Sequence, residues 1–216
     1  VGNSKRKFLS FDLDGTLIQL DFSLALWHEA IPKLVASQGG FPIDEATKWV
    51  TLQYETVGEE SLEWYDLAYW YERFRLKEPW KATLRRYRHM IRPFPEVTDV
   101  LRALAKDHRM MILSNASRPF VQAELEDTGL CELFDHVVSA TSDLGEVKKT
   151  HGFYAKVCHN LGIEPFDVIH VGDHWEFDYL APSKAGLTAY FLDRSGRRNG
   201  PWVVNDLKEF AGKVIA

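Results

Sequence analysis

Phe8-Leu9-Ser10-Phe11-Asp12-Leu13-Asp14-Gly15-Thr16-Leu17 decides how the rest of this 216-residue chain is read. Residues 7–13 form a short apolar run that Asp14-Gly15 breaks at once, the pattern of a buried strand ending in a turn. Successive side chains of a strand point to opposite faces, so Asp12 and Asp14 would share a face with each other only while the strand stays regular beyond its tip. Gly15 lets the backbone turn there, and Asp14 is then free to swing back over the strand tip toward whatever Asp12 binds. By itself an Asp-x-Asp-Gly sequence also serves calcium loops and ordinary turns.

Similar short apolar runs recur at 110–113, 136–139, 168–171 and 188–192, separated by stretches of helical period at 95–106, 118–127, 153–161 and 177–185. Strands of that kind alternating with amphipathic helices predict a doubly wound α/β domain, a parallel sheet covered on both faces. The interval 22–92 breaks the alternation. It contains no convincing strand, and its apolar residues recur at spacings of three and four: Leu24, Trp27, His28 and Ile31, then Leu62, Tyr65, Tyr69 and Phe74. The expected organisation is a Rossmann-like core from residues 1–20 and 93–216, with an α-helical cap, residues 21–92, inserted after the first strand. Pro93 and Pro95 restrict the chain where the core resumes.

The polar residues fall into a pattern on this frame. The run at 110–113 stops at Ser114-Asn115, and the run at 168–171 stops at Gly172-Asp173, with Asp178 five residues on. Lys148-Lys149 precedes the helix between them. Each group lies just past the carboxyl end of a strand or in the following loop, the edge where parallel α/β sheets bind ligands.

With these residues in place the chain resembles the haloacid dehalogenase superfamily. Its four signatures appear in order as Asp12-Leu13-Asp14-Gly15-Thr16-Leu17, Ser114-Asn115, the lysine, and Gly172-Asp173-His174-Trp175-Glu176-Phe177-Asp178. Ala181-Pro182-Ser183-Lys184-Ala185-Gly186 and Leu192-Asp193-Arg194 continue the likeness, and the helical insert stands where the family's first class of cap sits. The resemblance implies a phosphatase in which Asp12 attacks a phosphoryl group to give an aspartyl phosphate while Asp14 serves as general acid and then base. It implies Mg2+ held by the Asp12 side chain, the Asp14 backbone carbonyl and Asp173, with Asp178 a ligand or the holder of a bound water. Ser114 and Lys148 would hold phosphoryl oxygens and Asn115 would orient the second signature. Counting back from Leu161-Gly162 and from Tyr154 selects Lys148 and leaves Lys149, where the family usually has proline, as a surface cation. Thr150-His151-Gly152 also departs from the usual Lys-Pro-Asp-Pro sequence.

Other readings are open at this level. A sugar phosphomutase would keep both aspartates, a phosphonatase would need an imine-forming cap lysine such as Lys33 or Lys48, and a regulator could keep the phosphate site for binding alone. Haloacid dehalogenation needs no acid at Asp14. The insert is rich in aromatic residues, most of them expected in its core and a few at a substrate pocket. Residues 42–66 hold seven acidic residues against Lys48 alone, and residues 72–92 hold eight Lys or Arg. This basic run suits a solvated helix face, or else capture of a second anionic group on the substrate. His174 is either at the substrate mouth or packed in its loop.

Composition narrows the partners. With 26 basic against 31 acidic residues, a net charge of -5 offers no general attraction to nucleic acid or anionic lipid. No apolar run approaches the roughly 20 residues of a membrane span, and the basic amino terminus, residues 1–7, leads straight into a strand rather than a signal peptide core. Cys131 and Cys158 stand alone, without metal-ligand or disulfide spacing. The expectation is a cytoplasmic monomer or homodimer acting on a small phosphorylated substrate, with no nucleic-acid or membrane partner.

Overall fold

All six strands of the sheet run parallel, in the order β3-β2-β1-β4-β5-β6, in a computed structural model that describes residues 7–215. The residues before Lys7, which carry most of the basic amino terminus, lie outside the described part. The first strand, β1 (Phe8–Phe11), is central and pairs on one side with β2 (Arg109–Ser114) and on the other with β4 (Val168–Gly172). Beyond β2 lies β3 (His136–Ser139), and beyond β4 lie β5 (Thr188–Leu192) and the two-residue β6 (Val203–Val204). The doubly wound α/β class read from the sequence is therefore the one observed.

Burial on both faces explains why these strands are continuous apolar runs. Leu9, Ser10 and Phe11 are wholly buried, and Phe11 packs edge-on against Phe134 and Phe210. The polar exceptions pair with each other: Ser10 lies opposite His170 in the β1–β4 register, and its Oγ is 2.7 Å from His170 Nδ1.

Between β1 and the chain's return at Pro93 come five α-helices and no strand: α1 (Asp21–Ala25), α2 (Ile31–Gly39), α3 (Ile43–Val57), α4 (Leu67–Arg73) and α5 (Trp80–Tyr87). A wide turn, Leu26–Ala30, joins the first two. Leu26, Ile31, Val50 and Trp70 of this stretch belong to the same hydrophobic cluster as Leu9 and Phe11. Where the chain leaves the sheet and where it returns, it runs against itself: Gln19 N–H donates to Arg92 O (2.9 Å) and Phe94 N–H to Leu17 O (3.0 Å). Arg194 braces this crossing. It donates to Glu96 and to Thr16 O, both at 2.7 Å, with its guanidinium 3.6 Å from the centre of the Phe94 ring.

After the return come α6 (Val97–Leu104), α7 (Arg118–Thr128) and α8 (His151–Leu161). Val97, Val100, Leu101 and Leu104 give α6 its buried stripe. The helix expected at 177–185 is a wide turn, Trp175–Leu180, running into the short α9 (Ala181–Lys184). Two elements lay outside the sequence expectation, β6 and the terminal α10 (Leu207–Ile215). The strand is too short for any periodicity, and α10 is fixed by Leu207 and Phe210, both fully buried.

Candidate active site

The strand order reverses direction at β1, so the crevice between the carboxyl ends of β1 and β4 is the switch point of the sheet. Asp12 follows β1 and Asp173 follows β4, one on each side of it. Asp12 N–H donates to Val171 O (3.0 Å), which extends the ladder one residue past β1 and fixes the start of the turn. The turn closes with Leu17 and Ile18 N–H on Leu13 O (2.8 and 3.0 Å) and Gly15 N–H on Ile18 O (2.8 Å). Gly15 has φ +77°, and a β-carbon there would overlap the Asp173 carboxylate. Gly172 has the same need for bareness, because a β-carbon would strike Asp178. These two glycines let three carboxylates crowd one crevice.

Asp12, Asp173 and Asp178 each offer an oxygen within 4.8 Å of the others. Three hard oxygen donors at that spacing fit a divalent cation such as magnesium. The Asp14 side chain is not in the cluster; it turns into the adjoining cavity.

The structure corrects the choice of lysine. Lys149, 3% exposed, reaches the cluster and bonds Asp12, Asp178 (2.6 Å) and Leu113 O (3.0 Å). Lys148 turns outward to Glu60, with Glu59 3.9 Å away. The reason is one step of register. Adjacent residues of an extended segment face opposite ways, and α8 begins at His151, so the link from lysine to helix is one residue shorter than the count from Tyr154 assumes. Thr150 N–H on Lys148 O (2.9 Å) tightens it without proline.

Burial penalises the charge of Lys149, but Asp12 and Asp178 more than offset this and raise its pKa. Burial likewise opposes ionisation of Asp178, and Lys149 and then His170 outweigh it, holding that carboxyl below the usual range. Asp178 is nearly saturated: besides Lys149, its Oδ1 lies 3.2 Å from His170 Nε2 and 3.3 Å from Tyr154 Oη, and its Oδ2 accepts His174 N–H (3.0 Å). Tyr154 donates to Phe177 O (2.7 Å), and burial lowers the pKa of His170. A neutral His170 that accepts from Ser10 at Nδ1 and donates from Nε2 satisfies the whole chain of contacts from β1 to Asp178. Neither Ser10 nor His170 stood out in the sequence, since only the β1–β4 register brings them together.

Ser114 and Asn115 line the same cavity. Ser114 Oγ accepts Ala116 N–H (3.0 Å), while Ser139 Oγ donates to Ala116 O (2.7 Å) and Thr141 to Asn115 O (3.3 Å), so the loop after β2 is held from β3. Asn115 Oδ1 and Asp14 Oδ1 are buried without a hydrogen-bond partner among the described residues, and the Asp14 carboxyl lies against that of Glu124. His174 lines the cavity and also caps its own turn, accepting Phe177 N–H (3.2 Å).

Sequence reasoning missed Glu124, the acidic residue in the buried stripe Phe120, Val121, Leu125 of α7. It is fully buried, and neither carboxyl oxygen has a hydrogen-bond partner. Burial and then the charge of Asp14 push its pKa well up, and burial raises that of Asp14 too. A carboxyl with a raised native pKa keeps its proton after the unfolded chain has lost its own, so the native state weakens as pH climbs above about 4.5. Glu124→Gln is accordingly expected to raise Tm at pH 8 by several degrees, roughly 2–4 °C per kcal/mol gained, with the gain shrinking toward pH 5. Thermal melts at the two pH values check it, and an equal shift at both would contradict it.

Comparison with known proteins gives this geometry its family. The profile described as "Hydrolase: haloacid dehalogenase-like hydrolase" matches residues 7–186. The chain is 28% identical over 163 residues to "GMP/IMP nucleotidase YrfG" of Escherichia coli, covering 75% of this chain and 72% of that protein. It is 32% identical over 119 residues to mouse "N-acylneuraminate-9-phosphatase", covering 55% and 46%. A solved "HAD phosphatase from Thermococcus onnurineus" superposes with a TM-score of 0.83 over 96% of this chain and 97% of that one, at 23% identity, a likeness of fold. With a profile that spans most of the chain and phosphatases among its relatives, the chain belongs to the haloacid dehalogenase-like hydrolases as a phosphatase-type member.

Proposed function

We propose that the protein is a magnesium-dependent phosphatase of small phosphorylated metabolites that works through an aspartyl phosphate on Asp12. The observation that carries this reading is the convergence of Asp12, Asp14, Ser114, Asn115, Lys149 and Asp173 on one cavity at the switch point of the sheet. Asp12 attacks phosphorus, the bond from phosphorus to the ester oxygen breaks, and Asp14 delivers its proton to the departing alkoxide. Asp14, now a carboxylate, takes a proton from the water that attacks phosphorus next, and the phosphorus–Asp12 bond breaks to release phosphate. The raised pKa of Asp14 suits an acid that must hold a proton near neutral pH. Lys149, Ser114 and Asn115 hold the phosphoryl oxygens. Asp12, Asp173 and the Asp14 carbonyl would hold the cation, whose positive charge lets the phosphate approach the carboxylates; Asp178 holds Lys149 through Oδ1 and belongs to the same cluster.

Residues 21–92 act in this reading as a cap that swings about the paired segments at Leu17–Gln19 and Arg92–Phe94. Lys148 with Glu60 ties that cap to the core when it is closed. A sugar phosphomutase would need a place for a second phosphate. Among the described residues lining the cavity, Lys149 is the one Lys or Arg, which favours hydrolysis.

Phosphate release from a panel of monoesters, with magnesium and with chelator, tests the proposal. Metal-dependent turnover, with phosphate found on Asp12 by mass spectrometry after acid quench, is the expected result. Binding of phosphate and metal without turnover of any ester would overturn it.

A further inference from the structure

The cavity wall facing the carboxylates is dominated by flat aromatic rings, with Ser23, His28 and Ser117 among them, and carries no free Lys or Arg among the described residues. Trp27, from the wide turn after α1, lies parallel to Phe120 of α7 with centroids 5.5 Å apart and planes 10° off. Trp64 lies alongside Trp27 at 6.4 Å and 27°, and Tyr54 meets it edge-on at 6.0 Å while donating its hydroxyl to Trp27 O (3.1 Å). A second parallel pair, His174 on Phe177 (4.3 Å, 16°), lines the same cavity. Leu24 belongs to the wall and is 49% exposed although apolar, a side chain left uncovered by its own protein. The space enclosed is about 400 Å³, within the range of small-molecule sites.

The charges around this wall are as informative as the rings. Lys149 is already shared by Asp12 and Asp178, and the other acidic or basic lining residues outside the carboxylate cluster, histidines aside, are Asp14 and Glu59. No arginine of the insert lines the cavity, and three are engaged elsewhere: Arg88 pairs with Asp127 and Glu126, Arg86 with Glu78, and Arg73 with Gln53. An alcohol carrying a second phosphate or a carboxylate would find no free Lys or Arg among the described lining residues, whereas Ser23, His28, Tyr65 and Ser117 can meet the hydroxyls of a sugar. A planar uncharged ring loses nothing against the aromatic wall and stacks on it.

Resting on the phosphatase reading above, we propose that the Trp27, Phe120, Trp64 and Leu24 wall selects monoesters whose alcohol carries an uncharged heteroaromatic ring, the chemistry of a nucleoside 5′-monophosphate. The wall sets which ester is bound, and the carboxylate crevice does the same chemistry on any ester that enters.

The decisive comparison is IMP and UMP against ribose 5-phosphate, which keeps the sugar and phosphate and lacks the base, with acetyl phosphate as a ring-free reporter of the chemistry alone. The expected kcat/KM for IMP or UMP exceeds that for ribose 5-phosphate by about 10-fold or more. Leu24→Asn and Trp27→Leu are each expected to cut the ratio of IMP to acetyl phosphate kcat/KM roughly fivefold or more, chiefly through KM. Leu24 is exposed, so its variant keeps the test readable should Trp27→Leu fail to fold. In Asp12→Asn protein, IMP is expected to quench tryptophan fluorescence and ribose 5-phosphate to leave it unchanged. Equal turnover of IMP and ribose 5-phosphate overturns the selection while leaving the phosphatase standing. If acetyl phosphate, an acyl phosphate, and every ester are left intact, the phosphatase reading is what fails. The quench then decides the wall by itself, IMP alone supporting it and neither or both overturning it.

Discussion

Lys149→Met is expected to lower kcat/KM for a phosphate monoester by about 10²–10³-fold, while Lys148→Met stays within roughly threefold of the parent. The two residues are neighbours of the same type, and their surroundings decide the difference. Lys149 is 3% exposed and sits between carboxylates that are themselves 9% and 1% exposed at the side chain. Removing it leaves Asp12, Asp178 and Asp173 to repel one another and the incoming phosphate with no cation from the protein between them. Breaking a buried pair from one side costs on the order of 3–5 kcal/mol, so the melting temperature should fall by roughly 10 °C in a chain of this length. Lys148 pairs with glutamates 69% and 73% exposed, where screening keeps such contacts to about 0–1 kcal/mol. Steady-state kinetics and melts of both variants give the answer. A greater loss of activity from Lys148→Met would reverse the assignment.

That lysine also marks where reading a sequence stops. The strands were legible because a parallel strand buried on both faces is a short unbroken apolar run, as at Leu9 to Phe11 and at 110–113, and the acidic and hydroxyl residues at their ends were legible because chain order alone puts them at one edge. Which of two adjacent lysines faces inward depends on the direction of a loop that lacks the usual prolines, and no count along the chain fixes a direction. Glu124 was visible as an acid in an apolar stripe, but its meaning came only when α7 docked beside Asp14. Ser10 and His170 are 160 residues apart and read as strand filler until the register sets them 2.7 Å from each other. The aromatic residues of the insert divided as expected into packing and lining, yet only the folded structure separates Trp70, fully buried, from Trp27, which fronts the cavity. The basic run, read either as a solvated face or as an anion trap, supplies no residue to the cavity wall.

Asp12→Asn carries the largest expected effect, a loss of phosphate release of about 10⁴-fold or more, because a carboxamide is nearly the same shape and is not a nucleophile. Stability is expected to move the other way when metal is removed by chelator. Asp12 is 6% exposed, and burial raises its pKa well above the ordinary carboxylate value in spite of Lys149, with Asp178 and Asp173 adding to the rise. A raised native pKa means that ionising Asp12 costs the folded state more than the unfolded one, so wild-type stability declines as pH rises above about 4. The asparagine variant has no such charge, and its Tm in chelator should equal or exceed the parent's at pH 8, with the margin narrowing toward pH 4. Magnesium should invert the order. A ligand at 100 times its Kd stabilises the native state by about 2.7 kcal/mol, and the variant, having lost one carboxylate of the cluster, should gain less than the parent. Melts at pH 5 and pH 8, each with chelator and with magnesium, separate these contributions. A variant that melts lower than the parent in chelator at pH 8 would show that the Asp12–Lys149 pair outweighs the repulsion among the carboxylates. A variant that gains as much from magnesium as the parent would remove Asp12 from the cation site.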